Sequence, residues 1–396
     1  MSKWKEYALS EIGNIITGYT PPILNKEQWD GNVAFYSPAD FGHKLYCNYS
    51  ERTISEIALQ KNRTIPINSI MVTCIGSTIG KMALAGNYGI TNQQINTIVC
   101  DVKFHYLFVY YSLLFNIKKI DALYGVTAIP IVNKQQFSTI KLSIPDYPTQ
   151  QKIAKILSTI DGQIEKTEAI IAKYQAVKQG MLQDLFTPNK LNEINFELLS
   201  LADIADIIPS NVDKKIYVTE LPVFLCNYMD VYNNRYLTRK NKFSNGSVTS
   251  IEIQKFKLRK GDVIITKDSE TPDDIAIPSV VTEEIDDLVC GYHLALLRPI
   301  KEKVDSRFLM QLIQTEAIKR QFSIKANGST RYGLTIDAIK SIKISIPNLD
   351  IQIRIAECML TLDNKINTEL ISMGKMISVK QGLMSDLLSG KVAVIA

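Results

Sequence analysis

The chain has 396 residues, 46% of them apolar, and a formal net charge of +5. That is long for one domain and predicts two or three. No apolar run approaches the roughly 20 residues that a membrane-spanning helix needs, and Met1-Ser2-Lys3-Trp4-Lys5-Glu6 has no apolar stretch behind its charges, which argues against a signal peptide. Six cysteines without a Cys-x-x-Cys pair, and three histidines (His43, His105, His293) that are not neighbours, argue against a disulfide frame or a metal centre. They suit free thiols in a reducing cytoplasm. The charge is compatible with nucleic acid, but many proteins that bind no polyanion share it.

In chain order, the first half opens with Leu9-Ser10-Glu11-Ile12-Gly13-Asn14-Ile15-Ile16 and passes through a polar, turn-rich stretch. The short apolar run from Ile67 to Thr73, rich in β-branched residues and bounded by turn residues, predicts a buried strand. Directly behind it stands Gly76-Ser77-Thr78-Ile79-Gly80-Lys81. Small residues such as Ser77 and Thr78 let backbone approach a phosphate, and Lys81 adds charge; a tight turn whose glycines take φ > 0 accounts for the same residues. Asn92-Gln93-Gln94 offers three amides, which either pair with the major-groove edge of adenine or form a solvated loop. Tyr106 to Ile120 has helical spacing, with Tyr106 and Tyr110 placed to pack. The polar loop Gly125-Val126-Thr127 follows, then a short strand ending in Ser143-Ile144-Pro145, then a long helix.

The second half repeats the plan. Leu201-Ala202-Asp203-Ile204-Ala205-Asp206-Ile207-Ile208 matches the opening, and Gly261 to Thr266 matches the buried strand. Thr266-Lys267-Asp268-Ser269-Glu270 and Tyr292-His293 stand where the first half has its glycine loop and its amides. Asn233-Asn234-Arg235 beside Tyr236 reads as a loop contacting backbone, while Tyr228, Tyr232 and Tyr236 could stack on bases. Phe308 to Phe322 has helical spacing, and Asn327-Gly328-Ser329-Thr330-Arg331-Tyr332 is the polar loop. Arg331 is the best single candidate for a guanine contact, with a phosphate contact or a plain surface charge as its alternatives. The frame persists while the residues differ, so the two halves present two different surfaces on one plan.

The end of each half is duplicated without a gap. Ser143-Ile144-Pro145 through Asp184-Leu185 returns 202 positions later as Ser345-Ile346-Pro347 through Asp386-Leu387, and such a repeat decides the architecture. Ile153, Leu157, Ile160 and Ile164 start a heptad seam in one long helix; Ile355, Met359, Leu362 and Ile366 start it in the other. Thr167 and Glu369 interrupt one row of the seam, and Lys178 and Lys380 the other. Antiparallel pairing would set the two lysines near opposite ends, so they need not repel. Gly180 and Gly382 predict either close packing or a local break. The expected fold class is α/β (mixed α+β): two domains separated by two long antiparallel coiled-coil-like helices, with an internal pseudo-twofold repeat. A helix of about 35 residues is roughly 50 Å long, so two readers mounted at its ends would stand about one to one and a half duplex turns apart.

The order of a variable α/β domain, a strand ending in Ile-Pro, Gln150 or Gln352 at the helix start, Ile-Ala, and Lys-Gln-Gly near the end, all given twice, resembles the specificity (S) subunit of type I restriction–modification systems. The resemblance covers essentially the whole chain. One departure is that Thr149 and Ile351 stand where the family usually carries glutamate, which weakens a local capping contact. The resemblance implies target recognition domains at 1–147 and 188–348, and spacer helices at 148–187 and 349–390 that dock two modification (M) subunits. It also implies double-stranded DNA as ligand, restriction (R) subunits in the full complex, and a cytoplasmic setting. The chain itself is expected to hold no cofactor; S-adenosylmethionine belongs to the M subunit. Consistently, the sequence shows no Asn/Asp-Pro-Pro-Tyr/Phe clamp, no glycine-rich cofactor loop after a strand and no Walker loop. Two alternatives stay open from the sequence: the DNA-reading subunit of a related two-part methylase–nuclease system, and a coiled-coil scaffold that binds protein only.

Overall fold

The computed structural model describes residues 4–117, 130–185 and 195–392. They divide into two compact units, one made of 1–170 with 369–396 and the other of 171–368. The first half runs β1 (Lys5–Ala8), α1 (Leu9–Ile12), β2 (Gly13–Thr17), β3 (Trp29–Tyr36), β4 (Tyr46–Cys47), β5 (Arg52–Ile54), β6 (Ile70–Thr73), β7 (Met82–Ala85), β8 (Gly89–Thr91), β9 (Ile95–Cys100), α2 (Tyr106–Phe115), α3 (Lys134–Ser138), β10 (Lys141–Ile144) and the long α4 (Tyr147–Leu185). The second runs β11 (Glu197–Ser200), α5 (Leu201–Ile204), β12 (Ala205–Pro209), β13 (Leu221–Cys226), α6 (Tyr228–Asn233), β14 (Tyr236–Leu237), β15 (Ser244–Val248), α7 (Ser250–Phe256), β16 (Val263–Thr266), β17 (Asp268–Ser269), β18 (Pro278–Val281), β19 (Leu288–Cys290), β20 (Leu294–Pro299), α8 (Ser306–Ile313), α9 (Glu316–Lys325), β21 (Asn327–Gly328), β22 (Tyr332–Gly333), α10 (Ile336–Lys340), β23 (Lys343–Ile346) and the long α11 (Leu349–Leu388).

Each unit has a five-stranded sheet of the same design, β2-β9-β6-β7-β4 in the first and β12-β20-β16-β18-β14 in the second, beside a three-stranded one. β6 and β16 lie at the centre of their sheets and are buried along their whole length, which explains their continuous apolar, β-branched sequence. A two-stranded pairing, β1 with β10 and β11 with β23, leads into each long helix with matched register: Lys5 faces Ile144, and Glu197 faces Ile346.

The Phe308 to Phe322 stretch is two helices, not one. α8 ends at Ile313, Thr315 is extended, and the Thr315 hydroxyl donates to the Leu312 carbonyl (2.7 Å), closing α8 before α9 begins. The apolar spacing runs on because both helices bury the same side, with Phe308 and Phe322 in one core. Of the Tyr106 to Ile120 stretch, Tyr106–Phe115 is helical, and 118–120 lie outside the described residues.

The long helices are shared between the units. In the first, Ile153 and Leu157 of α4 pack in one core with Met384, Leu387 and Leu388 of α11, together with Phe108, Phe137 and Leu142. In the second, Ile355 and Met359 of α11 pack with Leu182 of α4, Phe308 and Ile344. The start of each long helix therefore lies against the end of the other, which is an antiparallel arrangement. Ile160, Ile164, Leu362 and Ile366 are only half-buried. Near the ends, burial in the row that starts at Ile153 and Ile355 moves one residue on: Leu182 and Met384 are buried, while Met181 and Leu383 are half-buried; in the other row Leu387 stays buried and Leu388 joins it. A helix of 3.6 residues per turn drifts about 20° per heptad, or about 80° over four, close to the 100° of one residue. Gly180 and Gly382 neither break their helices nor pack closely, since a Cβ at either would meet nothing within 4 Å.

The seam lysines are paired. Lys380 meets Asp161 at 2.6 Å in the first unit, and Asp161 also accepts from the Tyr111 hydroxyl at 2.6 Å. In the second unit Lys178 binds Asp363, which also accepts from Arg235 (3.1 Å), Tyr236 (2.8 Å) and Gln311 (3.2 Å). Burial would raise the Asp363 carboxyl, but the charges of Arg235 and Lys178 and its hydrogen bonds overcome this and hold it below its ordinary value of 3.8. Lys178 is pushed down to about 8, first by burial and then by Arg235. A depressed carboxyl contributes stability that is present above its unfolded pKa and is lost as pH falls through the folded one. Acid unfolding should therefore find wild type and Asp363→Asn converging below about pH 4 and separating above it; a difference that stays constant across that range would contradict the assignment.

Candidate nucleic-acid interface

Antiparallel pairing decides what comes together at one end of each five-stranded sheet. Thr73 at the end of β6 faces Ile95 at the start of β9, so the residues leaving one strand adjoin those entering the other. The backbone N–H of Cys74 donates to the carbonyl of Gln94 (2.7 Å) and ties the two loops together. Ser77, Thr78 and Lys81 are exposed on the first loop, and Gln93 is exposed on the second. Gly76 and Gly80 have φ of +94° and +84°, so their role is conformational. A side chain at Gly80 would also strike Ile117. Lys81 Nζ reaches the Pro38 carbonyl at 3.4 Å. Asn92 and Gln94 bond each other (2.9 Å), and the Thr20 hydroxyl holds the Gln93 carbonyl oxygen at 2.5 Å. Thr127 lies outside the described residues.

The second unit has the same geometry with other residues. Thr266 of β16 faces Leu294 of β20, so Lys267 and His293 adjoin, and the Lys267 N–H donates to the His293 carbonyl at 2.9 Å. His293 has φ +70°, a left-handed turn that carries its ring to Asp268, with Nδ1 2.5 Å from Oδ2. Lys267 Nζ lies 5.1 Å over the Tyr292 ring. β17 pairs with β22, and β22 with β21. That ribbon brings the exposed loop Ser329-Thr330-Arg331 to the same end. Gly328 makes its turn possible: a Cβ there would lie 1.8 Å from the Arg331 carbonyl oxygen.

Between these loops opens a cleft of about 630 Å³, whose lining includes Tyr228, Tyr232, Asp268, Glu270, His293 and Arg331. Tyr228 and Tyr232 stack with centroids 5.7 Å apart, and the Tyr232 hydroxyl donates to Asp274 at 3.0 Å. The cleft is aromatic with acidic acceptors; Arg331 also lines it, and Lys267 lies over Tyr292, one of its lining rings. Ser269 lines it but turns its hydroxyl to the Thr271 carbonyl (2.5 Å). Arg235 is not part of this cluster; it lies on Asp363 of α11. Tyr228, Tyr232, Asp268, Glu270 and Tyr292-His293 each stood out in the sequence, but nothing there showed that they line one cleft together with Asp274. The adjacent Tyr292-His293 and the helical spacing of Tyr228 with Tyr232 were the available signals.

The long-helix starts are held from beneath. Gln150, buried, accepts from the His105 N–H (2.8 Å) and donates to the Pro145 carbonyl (2.9 Å). Gln352, buried, accepts from the Asp305 N–H (3.0 Å) and donates to the Pro347 and Lys303 carbonyls (2.8 and 3.1 Å). The capping that glutamate would have helped falls to Asp146 and Asn348, which accept from the N–H groups of Thr149 and Ile351 at 2.9 and 3.1 Å.

Such a chain is a duplicated binding protein, in which one frame is built twice and a different set of side chains stands at the same strand ends. The family model for the type I restriction modification DNA specificity domain matches it twice, over residues 1–174 and 193–373, and the chain belongs to that family. It is 24% identical to the type I restriction enzyme MjaVIII specificity subunit of Methanocaldococcus jannaschii, over 99% of this chain and 93% of that protein. It is 30% identical to the HindI specificity subunit of Haemophilus influenzae over 48% of this chain and 41% of that one. The crystal structure of the type I S subunit from M. genitalium shares the fold, with a TM-score of 0.65 at 15% identity, over 98% of this chain and 96% of that chain. As a specificity subunit the protein recognises DNA sequence, is not itself catalytic, and assembles with other subunits. Among the described residues no helix is long and apolar enough to cross a membrane.

Proposed function

We propose that the two recognition domains, 1–147 and 188–348, each read one half of a bipartite, asymmetric site in double-stranded DNA. The helices 148–187 and 349–390 set the spacer and dock two modification subunits, which bring S-adenosylmethionine; restriction subunits join for cleavage. The supporting observation is that equivalent strand ends, β6 with β9 and β16 with β20, carry unlike side chains: Ser77, Thr78, Lys81 and Gln93 in one unit, Lys267 and His293 in the other, where the β21–β22 turn adds Arg331. An acidic, aromatic cleft disfavours phosphate and suits a base edge that carries an amino group, leaving Lys81, Lys267 and Arg331 to the backbone.

The test is domain exchange. Replacing residues 1–147 by another recognition domain should change one half of the methylated sequence and leave the other intact, as read by mapping methylated adenines in cells with the partner subunits. Change in both halves would overturn the modular reading. The purified chain alone should transfer no methyl group, and its DNA affinity should fall steeply with salt because phosphate contacts release counterions.

A further inference from the structure

The pairs Lys178–Asp363 and Lys380–Asp161 are images of each other under the 202-residue repeat. They also belong to one register: going from Lys178 back 17 residues to Asp161 on α4 corresponds to going forward 17 residues from Asp363 to Lys380 on α11. This is the condition for two contacts in one antiparallel alignment. An apolar seam of Ile, Leu and Met does not choose that alignment alone, because a slip by one heptad again sets apolar residues opposite apolar residues. The charges do choose it. A heptad slip moves one helix about 10 Å along the other, beyond a lysine's reach, and separates both pairs at once. It strands four charged side chains that the structure keeps 7–20% exposed. Each carboxylate is also tied to its own domain, Asp161 to Tyr111 of α2, and Asp363 to Gln311 of α8 and Tyr236 of β14. Asp161 thus grips the opposite helix with Oδ1 and its domain with Oδ2, while Asp363 takes Lys178 and Arg235 on Oδ1 and Tyr236 and Gln311 on Oδ2.

We infer that Asp161 and Asp363 are positioning residues for DNA reading: without touching DNA, they fix the register of the long helices and the seating of each recognition domain on them, and so the single gap length that the protein accepts between its half-sites. This rests on the bipartite reading proposed above. The experiment uses the full chain assembled with the subunits of its own system, selecting bound duplexes from a random double-stranded DNA library and counting the base pairs between the two enriched half-sequences. Wild type should enrich one gap. Asp161→Asn with Asp363→Asn, which preserves shape, should keep both half-sequences but admit neighbouring gaps. Asp161→Lys alone, which opposes Lys380, should lower enrichment at the wild-type gap by about tenfold or more, and adding Lys380→Asp should restore it.

A folded double-asparagine variant that keeps the single wild-type gap overturns the inference, as does a charge-exchanged pair that fails to recover while its melting matches wild type. If wild type itself enriches no bipartite sequence, the DNA reading falls and the inference with it. The two failures are distinguished by the protein in which they appear.

Discussion

Asp363→Leu should lower the stability of the second unit by about 3–5 kcal/mol, because removing one partner of a buried ion pair leaves the other charge uncompensated. Here the residue left behind is Lys178, whose side chain is 7% exposed, with Arg235 close by. Tyr236 and Gln311 lose their shared acceptor at the same time. The informative comparison is the double variant Lys178→Met with Asp363→Leu. An apolar replacement of both partners is often neutral or stabilising, so the double should recover most of the loss in a urea titration read at the midpoint. Arg235, 36% exposed, can turn to water and should add little. If the double is no more stable than the single, the coupling between Lys178 and Asp363 is not what holds this region. If Asp363→Leu is itself neutral, the carboxylate has no structural role. The stability outcome and the gap-length outcome are separable: a stable but unspecific double would mean that these charges act through specificity of alignment.

The sequence disclosed the architecture where periodicity or duplication carried it. A gapless repeat and a heptad seam indicate two like helices, and Ile153, Leu157, Ile355 and Met359 are buried in the two cores. It disclosed less where a single contact matters. Lys178 and Lys380 stood out as polar interruptions, but Asp161 and Asp363 lie one residue beyond Ile160 and Leu362, outside either seam row, where an acidic residue looks like solvated surface. Their mutual displacement of 202 residues was the missed signal. The break between α8 and α9 was hidden because both helices bury one face and the apolar spacing runs through it. The gathering of Arg331 with His293 depends on β17, β21 and β22, each of two residues, too short to show any alternation. Gly180 and Gly382 misled for the opposite reason: a helix glycine signals a backbone need, and here neither a break nor a close neighbour supplies one.

Gln352→Ala should cost about 3 kcal/mol or more, since a buried polar group deprived of its partner costs roughly 1–3 kcal/mol and this substitution deprives three. Gln352 is 1% exposed. Its amide joins the strand that ends at Pro347, the turn at Lys303 and the N–H of Asp305. Asp305 in turn caps α8 by accepting from the N–H groups of Arg307 and Phe308 (2.9 and 3.1 Å). One side chain therefore fixes where α11 starts relative to α8, which seats Gln311 on Asp363. Gln150→Ala in the first unit should cost less, because that glutamine serves two backbone groups, the His105 N–H and the Pro145 carbonyl, instead of three. Gln352→Glu separates the two roles of the amide: it keeps an acceptor for Asp305 but turns the donor into an oxygen facing the Pro347 and Lys303 carbonyls. It should be at least as damaging as alanine, and least so at low pH, where a protonated carboxyl can again donate. Denaturant midpoints for the three variants give the order directly. A Gln352→Glu variant as stable as wild type at neutral pH would show that the donor side of this amide does not hold the helix start.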